Sequence, residues 1–314
     1  MSNQKDLNLS PFGINNAEPK KIGIIGLGRV GMPVANAYIK AGYSVFGYAR
    51  RPEVITKFEE MGGTYHSCPA EVARQCNIII VMVLNDQQVI DVISGDEGLL
   101  KGILHDSTII CMSTINRKSL ETVAAQCKEK NTGFVDCPFT GGPARVQTAS
   151  LTLIAAGRAE LIESISPVLK VIGNIFHVGD RPGLGQAVKH CNQLLVGSTH
   201  AATMEVITLA RRLNLDPALV CKIVGSGIAG SDYFRLLTDS VLNDKPSPGG
   251  LGQMCKDVSI VSNTVDEVKM PAYIAKAAAK YFRLAEEWGM QNREGADLIE
   301  VIEKVTEQNI HPET

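Results

Sequence analysis

From Lys21 to Gly179 the chain keeps returning to short apolar runs, and this alternation limits its fold more than any other feature. KIGIIG (21–26), SVFGYA (44–49), NIIIVMV (77–83), STIICM (107–112) and GFVDCP (133–138) have the length and residue types of strands. Amphipathic stretches such as RVGMPVANAYIKAG (29–42) and KSLETVAAQCKEK (118–130) lie between them. Apolar strands alternating with helices predict a parallel sheet covered on both faces, which LTLIAAG (151–157) and NIFHVG (174–179) extend. Past about residue 183 the strand-like runs stop and helical periodicity takes over. VKHCNQLLVGSTHAATMEVITLARRL (188–213) reads as one long helix ended by Asn214, Asp216 and Pro217. PAYIAKAAAKYFRLAEEWG (271–289) and REGADLIEVIEKV (293–305) read as two more, and KPSPGGLGQ (245–253) is a breaker-rich loop.

A chain of 314 residues exceeds the usual size of one domain, so two are expected. The net charge of −2 argues against a partner such as nucleic acid or an acidic membrane. The longest apolar run, IIIVMVL (78–84), falls far short of the ~20 residues that span a bilayer. Residues 1–20 are polar, include Asp6 and Glu18, and resemble neither a signal nor a transit peptide. The 8 cysteines sit singly, mostly in apolar runs, and are expected to be reduced core residues of a cytoplasmic protein. The 6 histidines show no HxxxH or HExxH spacing, so no metal site is expected, and neither a GxSxG elbow nor a P-loop occurs.

Gly26-Leu27-Gly28-Arg29-Val30-Gly31 follows an apolar strand directly and opens a helix. A lone GxGxxG is weak, but this setting makes it a dinucleotide fingerprint. Gly26 allows the tight turn, Gly28 lets backbone approach a pyrophosphate, and Gly31 lets the helix lie close to the sheet. The expected fold is therefore α/β: a polar tail over 1–20, then a Rossmann-type doubly wound sheet over 21–183. An all-helical domain over 184–314 follows, joined through the long helix. Enzymes that use NAD carry an acid at the end of the second strand. Here that end reads Tyr48-Ala49-Arg50-Arg51-Pro52, without an acid before Glu53. Two guanidiniums suit a 2′-phosphate, so NADP(H) is expected in preference to NAD(H).

Five segments in order resemble the β-hydroxyacid dehydrogenases, the family of 3-hydroxyisobutyrate dehydrogenase and tartronate semialdehyde reductase, with 6-phosphogluconate dehydrogenase more distant. They are IGIIGLGRVGMPVA (22–35), MSTIN (112–116), DCPFTGGPARVQTASLTLIAAG (136–157), GLGQAVKHCNQ (183–193) and MCKDVS (254–259). The resemblance implies a hydride transfer between a nicotinamide and a small 3-hydroxyacid or its aldehyde-acid, with Lys189 as the general acid and base. It implies that Thr140, Gly141, Gly142, Asn192 and Gln193 bind a substrate carrying a carboxylate. It further implies that Val83, Leu84, Thr114 and Lys256 touch the cofactor along with the fingerprint and the two arginines. A homodimer or homotetramer is implied as well, built through the helical domain.

The residue chemistry agrees with that picture. A lysine shielded from water can lose its proton near neutrality and serve as a proton carrier. Glycines past the end of a sheet strand expose N–H groups to an anion. Two positions depart from the family pattern: Thr140 stands where it has serine, and Gln193, one helical turn after Lys189, where it has asparagine. Both bear on substrate identity more than on reaction type. Arg117 follows the Ser-Thr loop and reads as a solvated helix start in preference to a substrate-carboxylate contact. His190 and Cys191, which flank the lysine, read as packing residues. Imine reductases share the architecture but generally replace the lysine, so they are the alternative enzyme reading. A dinucleotide-binding module with weak or no turnover is the non-enzymatic one.

Overall fold

The computed structural model describes residues 20–308; of the polar tail expected over 1–20, residues 1–19 lie outside them. The described chain divides into two compact units, the first ending at Gln186 and the second beginning at Ala187.

The first unit is built on a sheet of strands β1 (Lys21–Ile25), β2 (Ser44–Tyr48), β3 (Thr64–Tyr65), β4 (Ile78–Val81), β5 (Thr108–Cys111), β6 (Gly133–Asp136), β7 (Phe139–Thr140), β8 (Leu151–Ala156) and β9 (Gly173–Gly179). Its order is β3-β2-β1-β4-β5-β6-β8-β7, with β9 paired to the other side of β8. β1 to β6 pair in parallel, and β9 runs parallel to β8. The central strands are apolar on both faces because helices cover both, as the buried β5 (TIIC) illustrates. Those helices are α1 (Gly31–Lys40), α2 (Pro52–Glu60), α3 (Pro69–Ala73), α4 (Asp86–Ser94), α5 (Arg117–Glu129), α6 (Gly142–Val146) and α7 (Ala159–Leu169). One face packs Ile22, Ile24, Val34 and Tyr38 with Ile165 and Leu169. The other packs Ile25, Ile79, Val81 and Ile109 with Val89, Leu120 and Val123. The buried Tyr38 hydroxyl donates to the Val168 carbonyl at 3.1 Å, tying α1 to α7.

Two strands, β8 and β9, run opposite to the expected parallel sheet. β8 runs antiparallel to β6 and to β7. Between β6 and β8 the chain forms only the two-residue β7 and the five-residue α6, too little helix for a parallel crossover.

The second unit is helical: α8 (Leu184–Arg212, whose first turn lies in the first unit), α9 (Pro217–Ser226), α10 (Asp232–Asn243), α11 (Leu251–Glu267), α12 (Tyr273–Glu287) and α13 (Leu298–Gln308). The long helix begins four residues earlier than its hydrophobic pattern suggests, at Leu184 rather than 188. Asp216 and Ser231 cap α9 and α10 through their side chains. Met204, Ile207, Phe234, Leu237, Met254, Val258, Phe282 and Leu298 form the core.

His200 sits inside this core, 1% exposed. Its Nε2 faces the Gly295 carbonyl at 2.9 Å and must donate, so its Nδ1 accepts from the Tyr233 hydroxyl at 3.0 Å. Its ring packs edge-on against Phe282. Burial pushes the imidazole from 6.5 down to about 4, against the opposing effect of the Gly295 bond. The folded chain therefore refuses a proton that the unfolded chain accepts between about pH 6.5 and 4. Its stability contribution is complete above 6.5 and is lost as the pH falls through that window. Denaturant titrations at pH 7 and pH 4.5 should show His200→Phe losing on the order of 2 kcal/mol less stability on acidification than the unchanged chain; equal losses would contradict the assignment.

Candidate active site

The fingerprint turn divides its glycines by physical task. Gly26 has φ +98°, and a Cβ there would sit 2.5 Å from the Met82 carbonyl oxygen. Its N–H donates to the Tyr48 carbonyl at 3.1 Å, which ties the turn to the end of β2. A Cβ on Gly31 would stand 2.0 Å from the Gly26 carbonyl oxygen, so α1 lies against the turn only because no side chain intervenes. Gly28 differs, since a Cβ added there meets nothing within 4 Å. The protein itself does not require glycine at that position, whereas a pyrophosphate drawn against the backbone does. α1 opens without a side-chain cap at Val30 and without an acid in its first turn, leaving its dipole and amides to an anion. Leu27 is buried beneath the turn and Arg29 is exposed. These residues fit a dinucleotide.

The other cofactor candidates lie just past the carboxyl ends of their strands. Arg50 and Arg51 follow β2 and are exposed; Arg51 meets Glu53 at 3.7 Å, an exposed pair of little energetic weight. After β4, the Val83 N–H donates to Ser113 Oγ (2.9 Å) and the Leu84 N–H to Gln88 Oε1 (3.0 Å). Both amides are thus committed, and the half-exposed Leu84 side chain is what that segment can offer a ligand. Thr114 is half-buried in the loop after β5. Asp86 fixes this region by accepting from the backbone and side-chain nitrogens of Asn116, each at 3.0 Å.

Beneath them lies a polar node that the sequence did not reveal. Asp136, at the end of β6, is fully buried. It accepts from the N–H of Gly183 (2.8 Å), the N–H of Gln186 (3.1 Å) and Gln186 Nε2 (2.9 Å). Gln186 in turn accepts from the Ile115 N–H and donates to the Ser113 carbonyl, both at 3.0 Å. Burial raises the carboxyl to about 6, and the surrounding donors pull the other way. The node joins the Ser113–Ile115 loop to the first turn of α8.

The Thr140-Gly141-Gly142 segment does not follow a parallel strand directly. Thr140 ends β7, opposite Thr152 of β8, while Gly141 (φ +126°) and Gly142 (φ +70°) turn the chain into α6. The left-handed φ at Gly141 explains the glycine there. Arg117 opens α5, is exposed, and meets Glu121 at 3.2 Å.

In the second unit, Lys189, Gln193 and Gly197 repeat at helical spacing along one face of α8. A Cβ on Gly197 would lie 2.7 Å from Val258, so α8 approaches α11 closely there. Lys189 is 8% exposed, and burial lowers it from 10.5 to about 8. Asp257 on α11 opposes that shift, and Lys256 adds to it. The sequence around Lys189 offers no carboxylate; the fold supplies one from α11. Gln193 Nε2 donates to Asp257 Oδ2 at 2.7 Å, and Lys256 Nζ pairs with Asp257 Oδ1 at 2.7 Å. Asn192 Nδ2 donates to Gln193 Oε1 at 2.8 Å. His190 is buried, with Nδ1 against Thr264 Oγ1 at 2.9 Å. Cys191, expected to pack, is exposed, whereas the other cysteines are buried. Among the described residues no group of three potential metal ligands occurs, and no helix is long and apolar enough to cross a membrane.

A dinucleotide turn at the carboxyl edge of a largely parallel sheet, followed by a helical unit, defines a dinucleotide-binding class, and relatives named as dehydrogenases make it an NAD(P)-dependent oxidoreductase acting on CH–OH groups. Residues 21–179 match the NAD-binding domain of 6-phosphogluconate dehydrogenase, and residues 183–302 match the NAD-binding family of NADP-dependent 3-hydroxyisobutyrate dehydrogenase. The chain is 31% identical to mitochondrial 3-hydroxyisobutyrate dehydrogenase of Rattus norvegicus, over 85% of its own length and 82% of the relative's. It is 28% identical to L-threonate dehydrogenase of Cupriavidus necator, over 90% and 96%. A crystal structure of 3-hydroxyisobutyrate dehydrogenase from Salmonella typhimurium superposes with a TM-score of 0.83 at 25% identity, covering 90% of this chain and 99% of that one. The chain belongs to the β-hydroxyacid dehydrogenase family.

The two glycine environments make opposite demands on substitution. Gly28→Ala should leave the thermal midpoint nearly unchanged while weakening dinucleotide binding at least about tenfold, since only the ligand needs that space. Gly31→Ala should destabilise the chain itself by about 2 kcal/mol or more through the clash with Gly26. Thermal unfolding with and without NADPH separates them, and a Gly28→Ala chain that binds normally would contradict the fit.

Proposed function

We propose that the chain is an NADP(H)-dependent enzyme that interconverts a small 3-hydroxyacid and its aldehyde-acid, with Lys189 exchanging the proton at the substrate oxygen. The observation that carries this reading is a buried lysine, pushed down to about 8, that forms no ion pair among the described residues. A structural lysine in such surroundings would normally be paired; one that trades a proton needs a value near the working pH.

When bound, the dinucleotide supplies the hydride for reduction or accepts it in oxidation, at the substrate carbon. In reduction the Lys189 ammonium donates its proton to the carbonyl oxygen as negative charge grows there, giving the hydroxyl. In oxidation the neutral amine takes the hydroxyl proton, and the C=O bond forms as the hydride departs. The Thr140 hydroxyl, the backbone amides of Gly141 and Gly142, and Asn192 are the proposed holders of the substrate and its carboxylate. Arg50 and Arg51 suit a 2′-phosphate through charge-assisted hydrogen bonds, and no acid precedes Glu53 to bind a free 2′-hydroxyl. Lys256 is the proposed cofactor contact of the second unit, and the oligomer implied by the family is part of the same proposal.

A panel of short aldehyde-acids and 3-hydroxyacids with NADPH and NADH, followed by absorbance of the reduced cofactor, tests the reading. NADPH should give the higher kcat/KM. Reduction needs protonated Lys189, so its rate should fall as the pH rises through about 8; oxidation needs the neutral amine and should rise through the same point. Profiles with the same slope in both directions, or a clear preference for NADH, would contradict the proposal.

A further inference from the structure

The proposed reaction requires Lys189 to keep its amine available, yet the buried carboxylate of Asp257 stands close enough to act on it. A carboxylate this deeply buried, with 1% of its side chain exposed, binds whatever donors it can reach. Each of its oxygens faces another group, Oδ2 through a hydrogen bond and Oδ1 through an ion pair without a hydrogen bond. Oδ2 accepts from Gln193 Nε2 and Oδ1 pairs with Lys256 Nζ, each at 2.7 Å. The orientation of the Gln193 amide is fixed from its other end, where Oε1 accepts from Asn192 Nδ2 at 2.8 Å. An asparagine at 193 would end roughly an ångström short of this contact.

We propose that Gln193 is a positioning residue that occupies Asp257 together with Lys256, so that the carboxylate cannot close onto Lys189. This rests on the reading of Lys189 as the proton carrier. The extra methylene of glutamine is what spans from α8 to α11, and its amide is spent within the protein rather than on substrate. The charges facing Lys189 are Asp257 and Lys256, both on α11. Tyr233 on α10 also feels Asp257 but stays protonated, held up first by burial, and so adds no charge. His190, next to Lys189 on α8, is turned to Thr264.

Loss of the Gln193 bond should let Asp257 pair with Lys189 and hold its proton more tightly. The test uses the full chain labelled with carbon-13 at the lysine ε position, the Lys189 signal being identified by its loss in Lys189→Arg. In Gln193→Leu and in Gln193→Asn the Lys189 titration should move up by about one pH unit. In Asp257→Asn it should move down, because the charge that supports the ammonium is gone. Substrate KM should change by less than about threefold in Gln193→Asn. Should Gln193→Leu fail to fold, Gln193→Asn carries the same comparison. An unchanged Lys189 titration in the Gln193 variants would overturn the proposal, as would a KM raised more than about tenfold without such a shift, which would make Gln193 a substrate contact. If Lys189 proved dispensable for turnover, the proposed function would fall, while the titration would still decide the role of Gln193.

Discussion

Burying a positive charge costs several kcal/mol unless something compensates it, and the helical unit buries one such charge. Lys189 lies on the face of α8 that meets α11, where Gly197 removes the side chain that would hold the helices apart. That closeness excludes water from the amine and brings Asp257 and Lys256 beside it. The outcome is a balance: burial and Lys256 push the lysine towards neutrality, and Asp257 holds it back, leaving it near 8. A fully paired lysine would keep its proton at every working pH, and an isolated one would lose it outright.

The sheet unit solves a different problem, that of holding a large anion without burying opposing charge. Its means are backbone: a turn with open space at Gly28, a helix start without a cap, and loops pinned from below. Asp136 and Gln186 do the pinning, since their bonds reach the Ser113–Ile115 loop and the opening turn of α8. The Ser113–Ile115 loop is thereby held by the buried polar node rather than by its own side chains.

What was legible in the sequence was what depends on neighbours along the chain. The apolar runs marked β1, β2, β4, β5 and β6 to within a residue or two, and strand, glycines and helix together marked the nucleotide turn. The motif at Gly183–Gln193 pointed to Lys189, which the fold buries. What depended on distant pairing was not legible. The antiparallel direction of β8 follows from a connection too poor in helix to cross over, a hint present in DCPFTGGPARVQTAS but not decisive. Asp257 was visible only as part of a Lys-Asp segment; its bond to Gln193 spans 64 positions of chain. Asp136 and Gln186 are separated by 50 positions, and no local periodicity couples them. Cys191 reads as a packing residue, yet helical phase turns it outward.

The central claim is that the Lys189 amine itself carries the substrate proton. Chemical rescue addresses it most directly: Lys189→Ala assayed with NADPH and an aldehyde-acid, with and without added ethylamine. The account predicts a large loss of kcat, on the order of 100-fold or more, partly restored by the amine in proportion to its protonated fraction. A Lys189→Ala chain that keeps most of its kcat without any added amine would contradict it.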